Sequence, residues 1–308
     1  MGASISVDGD ETGSSLNTST HDLSARMQAG FILLDKHPGP TSHQLTAWVR
    51  ELLELPRLAH GGTLDPFASG VLPLLLGRAM KLTPMVLEHQ KSYIGLLRTA
   101  EPVERELLES RLRMFQGRIY NVPPDVSAVK VQVRTRRITE IELLDLEGTD
   151  ALVSIDCEAG TYVRTLARDL GLMLDQRCEL VELRRSRSGI FGATSCVSMT
   201  ELADVIWKWK ELSDPSALER VVNPVESMLT HLPCITVKQS AVDSLRNGTV
   251  LNRPGVSHFS ANISEADRVL LIDRNGNAIA IADALVSSEA LLTMQQGPVA
   301  QPRQQLRG

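Results

Sequence analysis

FILLDKHPGPTSHQLTAWVRELL, residues 31–53, holds a strand, a turn and a helix in one run. Phe31-Ile32-Leu33-Leu34 is an unbroken apolar stretch, the pattern of a short buried strand. Asp35 to Pro40 has two prolines around a glycine and must turn. Thr41 or Ser42 can then cap a helix, because their hydroxyls accept from the free N–H groups of a first turn. Leu45, Trp48, Val49, Leu52 and Leu53 follow at i, i+3, i+4, i+7 and i+8, so one face of that helix is buried. Strand and helix in direct succession make this an α/β chain.

The same alternation continues downstream. Residues 60–70, HGGTLDPFASG, form a loop punctuated by Gly and Pro. A helix is expected over 78–89, a strand over 91–98, a charged surface helix over 101–115, and paired strands over 129–157. A capped helix over 161–174 and a strand over 179–187 complete this part. The texture changes near 229–233. Beyond it lie short apolar runs at 235–237, 269–273 and 278–284, and a helix over 239–246. Asn275-Gly276 between two of those runs predicts a hairpin, since both residues tolerate the positive φ of a type I′ turn. The expected organisation is a main domain over 29–228 and a small β-rich module over 229–292. Tails flank them: 1–28, rich in Ser, Thr and Gly and expected to be disordered, and 293–308, rich in Gln. The opening Met1-Gly2-Ala3-Ser4-Ile5-Ser6 matches a degenerate myristoylation pattern, for which chance is the ready explanation.

Composition narrows the function. The 308 residues carry 32 Lys+Arg against 37 Asp+Glu, a net charge of −5, so bulk basicity does not mark a nucleic-acid binder. No stretch has the roughly 18 apolar residues of a membrane span. Cys157, Cys178, Cys196 and Cys234 form no C-x-x-C pair, and no apolar signal core lies near the start, which favours a reducing, cytosolic compartment.

Four features could carry chemistry. Gly61 and Gly62 allow a close backbone approach, and Asp65 sits before Pro66, which biases it toward extended backbone. By residue type alone Asp65 is a turn former. Neither a phosphate loop nor a metal-ligand set accompanies it. On the helix over 161–174, Arg164 and Arg168 share one face, opposite Val163, Leu166, Ala167 and Leu170. Either they form a solvated stripe, or one turns inward and holds a carboxylate such as Asp65 ionised and aimed. Lys130, Arg134, Arg136 and Arg137, and then Arg184, Arg185 and Arg187, are two basic clusters. Each alone is an ordinary solvated face; together, in an acidic chain, they suggest local phosphate contacts. Tyr93 is one of three tyrosines and suits either core packing or stacking on a base.

Six ordered blocks resemble the TruB superfamily of RNA pseudouridine synthases. They are LLDKHPGPTSHQLTAWV (33–49), HGGTLDPFASGVLPLLLGRA (60–79), KSYIGLL (91–97), PPDVSAVKVQVRTRRITEIELL (123–144), EAGTYVRTLARDLGLML (158–174) and ELRRSRSGIF (182–191). The likeness is to the archaeal and eukaryotic dyskerin-type branch, the catalytic subunits of box H/ACA guide-RNA particles. Residues 232–256 and the hairpin after them resemble the PUA domain of that branch.

The resemblance implies an α/β (α+β) fold: a mixed, largely antiparallel central sheet flanked by helices, with a β-barrel-like PUA domain behind it. It implies that Asp65 is the catalytic aspartate and Arg164 its ion-pair partner. Tyr93 would stack on a flipped uracil and help remove the C5 proton, with Leu183 packing in the same site. His60 would contact RNA beside the flipped nucleotide, and Lys36 would support the catalytic loop. Lys130, Arg134 and Arg136 belong to a thumb loop that closes over RNA, and Arg184 and Arg185 are further RNA-binding candidates. The reaction breaks N1–C1′, turns the base and joins C5 to C1′, an isomerisation that needs no cofactor and no metal. The sequence departs from the family at His37, where Pro is common, and at Val131 and Val133, where Arg is common.

Three functions are then open. The chain could modify uridines in rRNA or tRNA as the subunit of a guide-RNA particle with small partner proteins: a zinc-ribbon-like, a Gly/Arg-rich and a kink-turn-binding one. It could act alone on the tRNA T-loop. It could be a non-catalytic RNA scaffold, against which Asp65, Tyr93 and Arg164 speak. None of the three involves a membrane.

Overall fold

The computed structural model of the chain describes residues 4–6, 16, 18, 21–122 and 133–306. Two compact units emerge: one of residues 33–74 and 83–206, the other of residues 1–32, 75–82 and 207–308.

The first unit is built on β1 (Ala29–Lys36), α1 (Ser42–Leu52), β2 (Ser69–Gly77), β3 (Lys91–Thr99), α2 (Arg105–Arg113), β4 (Gly117–Asn121), β5 (Arg134–Glu147), β6 (Asp150–Cys157), α3 (Val163–Met173) and β7 (Cys178–Ser188). The sheet runs Val197–Ser198, β1, β2, β7, β3, β6, β5, β4. Val197–Ser198 pairs with β1 in parallel, as β2 does with β7; the pairs from β7 to β4 are antiparallel. α1 begins as its sequence predicts. The Thr41 hydroxyl accepts from the Gln44 N–H at 3.1 Å and the Gln44 side chain accepts from the Thr41 N–H at 2.8 Å, a reciprocal capping box.

One face of the sheet carries the core. Tyr93 and Leu97 of β3, Val153 and Ile155 of β6, and Ile138 and Ile141 of β5 pack with Leu108 and Leu112 of α2 and Val163, Leu166 and Leu170 of α3. Period-two burial on the strands and 3.6-period burial on the helices bring these residues to one layer. The side-chain cap expected for α3 is absent. Thr161 donates instead to the Glu158 carbonyl at 2.7 Å, and Tyr162 is the N-cap with no side-chain bond. The buried Asn121 of β4 takes over: it accepts from the Tyr162 N–H at 2.9 Å and donates to the Thr165 hydroxyl at 2.8 Å. The start of α3 is thus tied to an edge strand.

In the second unit, β8 (Cys234–Val237), α4 (Gln239–Arg246), β9 (Val256–Ser260), β10 (Arg268–Ile272), β11 (Ala278–Ala284) and β12 (Pro298–Gln305) form a curled sheet module. Its order is Ser4–Ser6, β9, β8, β10, β11, β12, Leu251–Asn252. The structure corrects the expectation of tails. Pro298–Gln305 is a strand paired on both sides, Ser4–Ser6 pairs with β9, and Leu23–Gln28 is a helix capped by Asp22. Val299, Ala300 and Leu306 are fully buried and anchor the Gln-rich stretch. The expected hairpin joins β10 to β11, but its turn is not type I′. Only Gly276 has positive φ, at 78°, and Asp273 organises the loop by accepting from the N–H groups of Asn275 and Asn277 at 2.8 and 2.9 Å. A carboxylate just outside the Asn-Gly pair supplies the turn that positive φ at Asn275 would have made.

Candidate active site

The loop Gly61–Ala68 precedes β2 and is held from three directions. From α1, the buried Ser42 hydroxyl accepts from the Leu64 N–H at 2.9 Å and donates to the Leu64 carbonyl at 3.2 Å. From the end of β1, Lys36 Nζ donates to the carbonyls of Pro66 and Ala68 at 3.0 and 2.7 Å, and to its neighbour His37 at 3.0 Å. Burial pushes the Lys36 ammonium down from the usual lysine range, the Asp65 charge opposes that, and the Arg185 charge adds to it. From β7, the guanidinium of Arg185 donates to the carbonyls of Val71, Gly62 and Thr63 at 2.8, 3.1 and 3.5 Å. Gly70 makes this approach possible: at φ 105° its absent Cβ would lie 2.2 Å from the Arg185 carbonyl oxygen.

Held in this way, Asp65 meets the first turn of α3. Arg164 Nη2 donates to Asp65 Oδ1 at 2.9 Å, and both side chains are about 30% exposed (31% and 30%), so the pair is open to a cavity and not sealed in the core. Arg168 pairs with its neighbour Asp169 at 2.7 Å, which leaves Arg164 as the arginine of α3 that faces the loop. The cavity measures about 290 Å³ and is lined by Asp65, Arg164, Tyr93, Leu183, Lys91 and Arg185 among others. That is near the lower end of the roughly 300–1,000 Å³ of small-ligand sites. Tyr93 stands opposite Arg185 in the β3–β7 register, and Leu183 stands two residues before Arg185 on the same face. Burial pushes the Tyr93 phenol up, so it stays protonated in the resting site.

The residues predicted from sequence separate into those gathered here and those elsewhere. Asp65, Tyr93, Arg164 and Leu183 share the cavity, and Lys36 sits beneath the loop. His60 packs edge-on against His43, centroids 4.8 Å apart, with its Nδ1 buried and unbonded; burial and the charges of His43 and Arg185 hold it down to about 4. It is therefore neutral at physiological pH. Arg185 is corrected: only 1% exposed, it props the loop and is no surface phosphate contact. Arg184 is half-exposed and forked onto Asp35 at 2.9 and 2.7 Å. Arg134 and Arg136 are on β5, and Arg136 lies against Gly160 in the cavity wall. Lys130 lies outside the described residues.

Sequence reading missed three positions. Lys91 is 4% exposed and donates to the carbonyls of Val86, Leu87 and His89 at 3.0, 3.1 and 2.6 Å, fastening the helix end that carries Leu87 to the cavity wall. Ser42 and Asn121 are the other two. The only signal for Lys91 was a charged residue opening an apolar strand, which by itself reads as an ordinary strand end. Among the described residues, no three His, Cys, Asp or Glu side chains are placed to hold a metal, and no helix is long and apolar enough to cross a membrane.

An ion-paired carboxylate, a buried tyrosine and an apolar wall thus surround one cavity, on a mixed sheet in a chain that also carries a small curled β-module. Family models match along the chain. Residues 50–101 match the N-terminal domain of the TruB family pseudouridylate synthases, 164–230 the C-terminal domain of tRNA pseudouridylate synthase B, and 233–306 the PUA domain. The chain is 40% identical over 269 residues to a probable tRNA pseudouridine synthase B of Pyrobaculum arsenaticum, covering 87% of this chain and 81% of that one. A protein of the same description from Methanosarcina barkeri is 38% identical, over 88% and 80% of the two chains. Among solved structures, one of an H/ACA RNP bound to a substrate RNA containing 2′-deoxyuridine superposes with a TM-score of 0.87 at 30% identity, covering 100% of this chain and 95% of that one. A Cbf5-Nop10-Gar1 complex superposes at 0.85 and 32% identity, covering 100% and 94%. The chain belongs to the TruB family of pseudouridine synthases.

Proposed function

We propose that this chain isomerises uridine to pseudouridine as the catalytic subunit of a guide-RNA H/ACA particle. The cavity receives a uridine swung out of the RNA, at an extrusion cost of a few kcal/mol that stacking and phosphate contacts offset. Asp65 works on the ribose C1′ as the N1–C1′ bond breaks, and Arg164 fixes the aim of its carboxylate. Tyr93 and Leu183 hold the detached base while it turns. Once C5 has joined C1′ the C5 proton leaves and N1 gains one, an exchange in which the protonated Tyr93 hydroxyl hands on its own proton as it accepts another. Arg134 and Arg136 take phosphates at the cavity edge.

The observation that carries this reading is the 2.9 Å Asp65–Arg164 pair opening onto a cavity shared with Tyr93 and Leu183. Sequence selection then comes from a guide RNA gripped by the PUA module, with small particle proteins as partners. Superposition over the whole chain on a chain of the H/ACA RNP supports this assignment. The names of the archaeal relatives favour a second reading, independent action on tRNA. Four unlinked cysteines, each pushed up to about 11 by burial, fit a cytosolic location.

Purified chain is assayed on a T-loop RNA alone, and on a guide-paired substrate with and without partner proteins. Turnover that requires the guide is expected. Efficient T-loop turnover without a guide establishes the second reading. Full turnover by Asp65→Asn ends the assignment of Asp65.

A further inference from the structure

We infer that Asn121 is a positioning residue of the active site: from the edge strand β4 it brackets Arg164 and so sets the aim of that arginine at Asp65. This rests on the reaction proposed above and names a further residue that serves it.

The two halves of the ion pair are held unequally. Asp65 rides on a loop fastened by Ser42, Lys36 and Arg185. Arg164 has a single anchor: its Nη2 donates to Asp65 Oδ1 at 2.9 Å, and among the described residues its buried Nε has no partner. No second hydrogen bond steers the guanidinium, so its aim depends on where the first turn of α3 stands. Arg164 is the second residue of that helix. Val163, Leu166 and Leu170 press α3 onto the core layer, but apolar contacts are non-directional and tolerate a small slide along the helix axis. A slide of about 1 Å takes the 2.9 Å contact out of hydrogen-bond range. Directional bonds at the helix start must therefore fix it, and Tyr162, the N-cap, gives none from its side chain.

Asn121 supplies those bonds from outside the helix. Its Oδ1 accepts from the Tyr162 N–H at 2.9 Å, and its Nδ2 donates to the Thr165 hydroxyl at 2.8 Å and to the Tyr162 carbonyl at 3.3 Å. The Thr165 hydroxyl donates in turn to the Tyr162 carbonyl at 2.8 Å. The set closes across the first turn, with Arg164 between its two ends. A primary amide suits this place because the turn presents a donor and acceptors side by side; a carboxylate lacks the N–H and an aliphatic side chain lacks both. Asn121 and Thr165 are 2% and 3% exposed, so solvent has little access to replace a lost partner. Asn121 does not line the cavity. It acts through Arg164 and not on the RNA.

The test uses the full chain on whichever RNA the wild type turns over, with the guide and partner proteins if it needs them. Asn121→Ala, Asn121→Gln and Thr165→Val are compared with wild type and Asp65→Asn. Asn121→Ala is expected to lower kcat roughly 10–100-fold, the scale of a 1 Å misplacement, with KM and RNA affinity within about twofold of wild type. Thr165→Val, which removes one member of the set at constant volume, should lower kcat by less, again with KM unmoved. Asn121→Gln returns an amide to the site and should recover most of the loss. A crystal structure of Asn121→Ala should show Arg164 out of hydrogen-bond range of Asp65 with the loop around Asp65 in place. Wild-type kcat in Asn121→Ala and Thr165→Val, with Asp65→Asn inactive, would overturn the positioning role and leave the enzyme assignment standing. So would a loss that Asn121→Gln does not recover while the ion pair stays intact in the crystal. Should Asn121→Ala fail to fold, Thr165→Val decides alone, and wild-type kcat there overturns the inference. Full turnover by Asp65→Asn would instead remove the reading on which it rests.

Discussion

Lys91 offers the sharpest physical test of how the site is held. Its ammonium is buried, and burial, reinforced by the positive charge of Arg185, brings it from 10.5 to about 8, against a weaker pull from Cys157. The sign follows from proton counting. Between pH 8 and 10.5 the unfolded chain keeps the Lys91 proton and the folded chain has lost it, so stability rises with pH across that window. A tenfold change in proton affinity is worth about 1.36 kcal/mol, so the fall from 10.5 to about 8 amounts to about 3 kcal/mol before water in the adjoining cavity screens part of it. A rise of about 2–3 kcal/mol attributable to Lys91 is therefore expected. Lys91→Met removes the titrating group at nearly constant volume. Denaturant unfolding of wild type and variant from pH 7 to 10.5 gives two curves, and their difference cancels the other tyrosines, cysteines and lysines. The difference should climb in favour of the wild type through that window. A flat difference would refute the reasoning: the three carbonyls of Val86, Leu87 and His89 would then be holding the ammonium charged despite its burial.

Other changes probe the loop and the second unit. Ser42→Ala leaves the N–H and carbonyl of Leu64 without their partner; a loss of roughly 2–3 kcal/mol in unfolding free energy is expected, with a fall in kcat that exceeds any change in KM. Gly70→Ala forces a Cβ onto the Arg185 carbonyl at positive φ, which should cost about 3 kcal/mol or more and show as a lowered Tm. Truncation after Gly297 removes a strand that pairs with both β11 and Leu251–Asn252, so amide exchange across β10 and β11 should lose its protection.

Much of the fold was legible because it rests on local rules. The apolar run at 31–34, the Thr41 cap and the spacing of Leu45 and Val49 each specify their own conformation, and α1 begins where they say. The reading of residues 293–308 as a tail failed because composition outweighed pattern: the glutamines mask Val299 and Ala300, which a paired strand buries. The cap of α3 was misread for a related reason, since its partner Asn121 is 41 residues away.

The site divides in the same way. Sequence alone, by residue type and by family likeness, determined that Asp65 and Arg164 are the pair to watch, that Tyr93 and Leu183 belong with them, and that a PUA module follows. Only the tertiary structure decided which basic residues are interior props and which face outward. Lys36, Lys91 and Arg185 look like surface charges in the sequence, yet each is buried and donates to three backbone carbonyls. The physical reason is that a lysine or arginine is interior only where distant loops bring enough acceptors to one point. That convergence is a property of strand order and register, and no local stretch of sequence contains it.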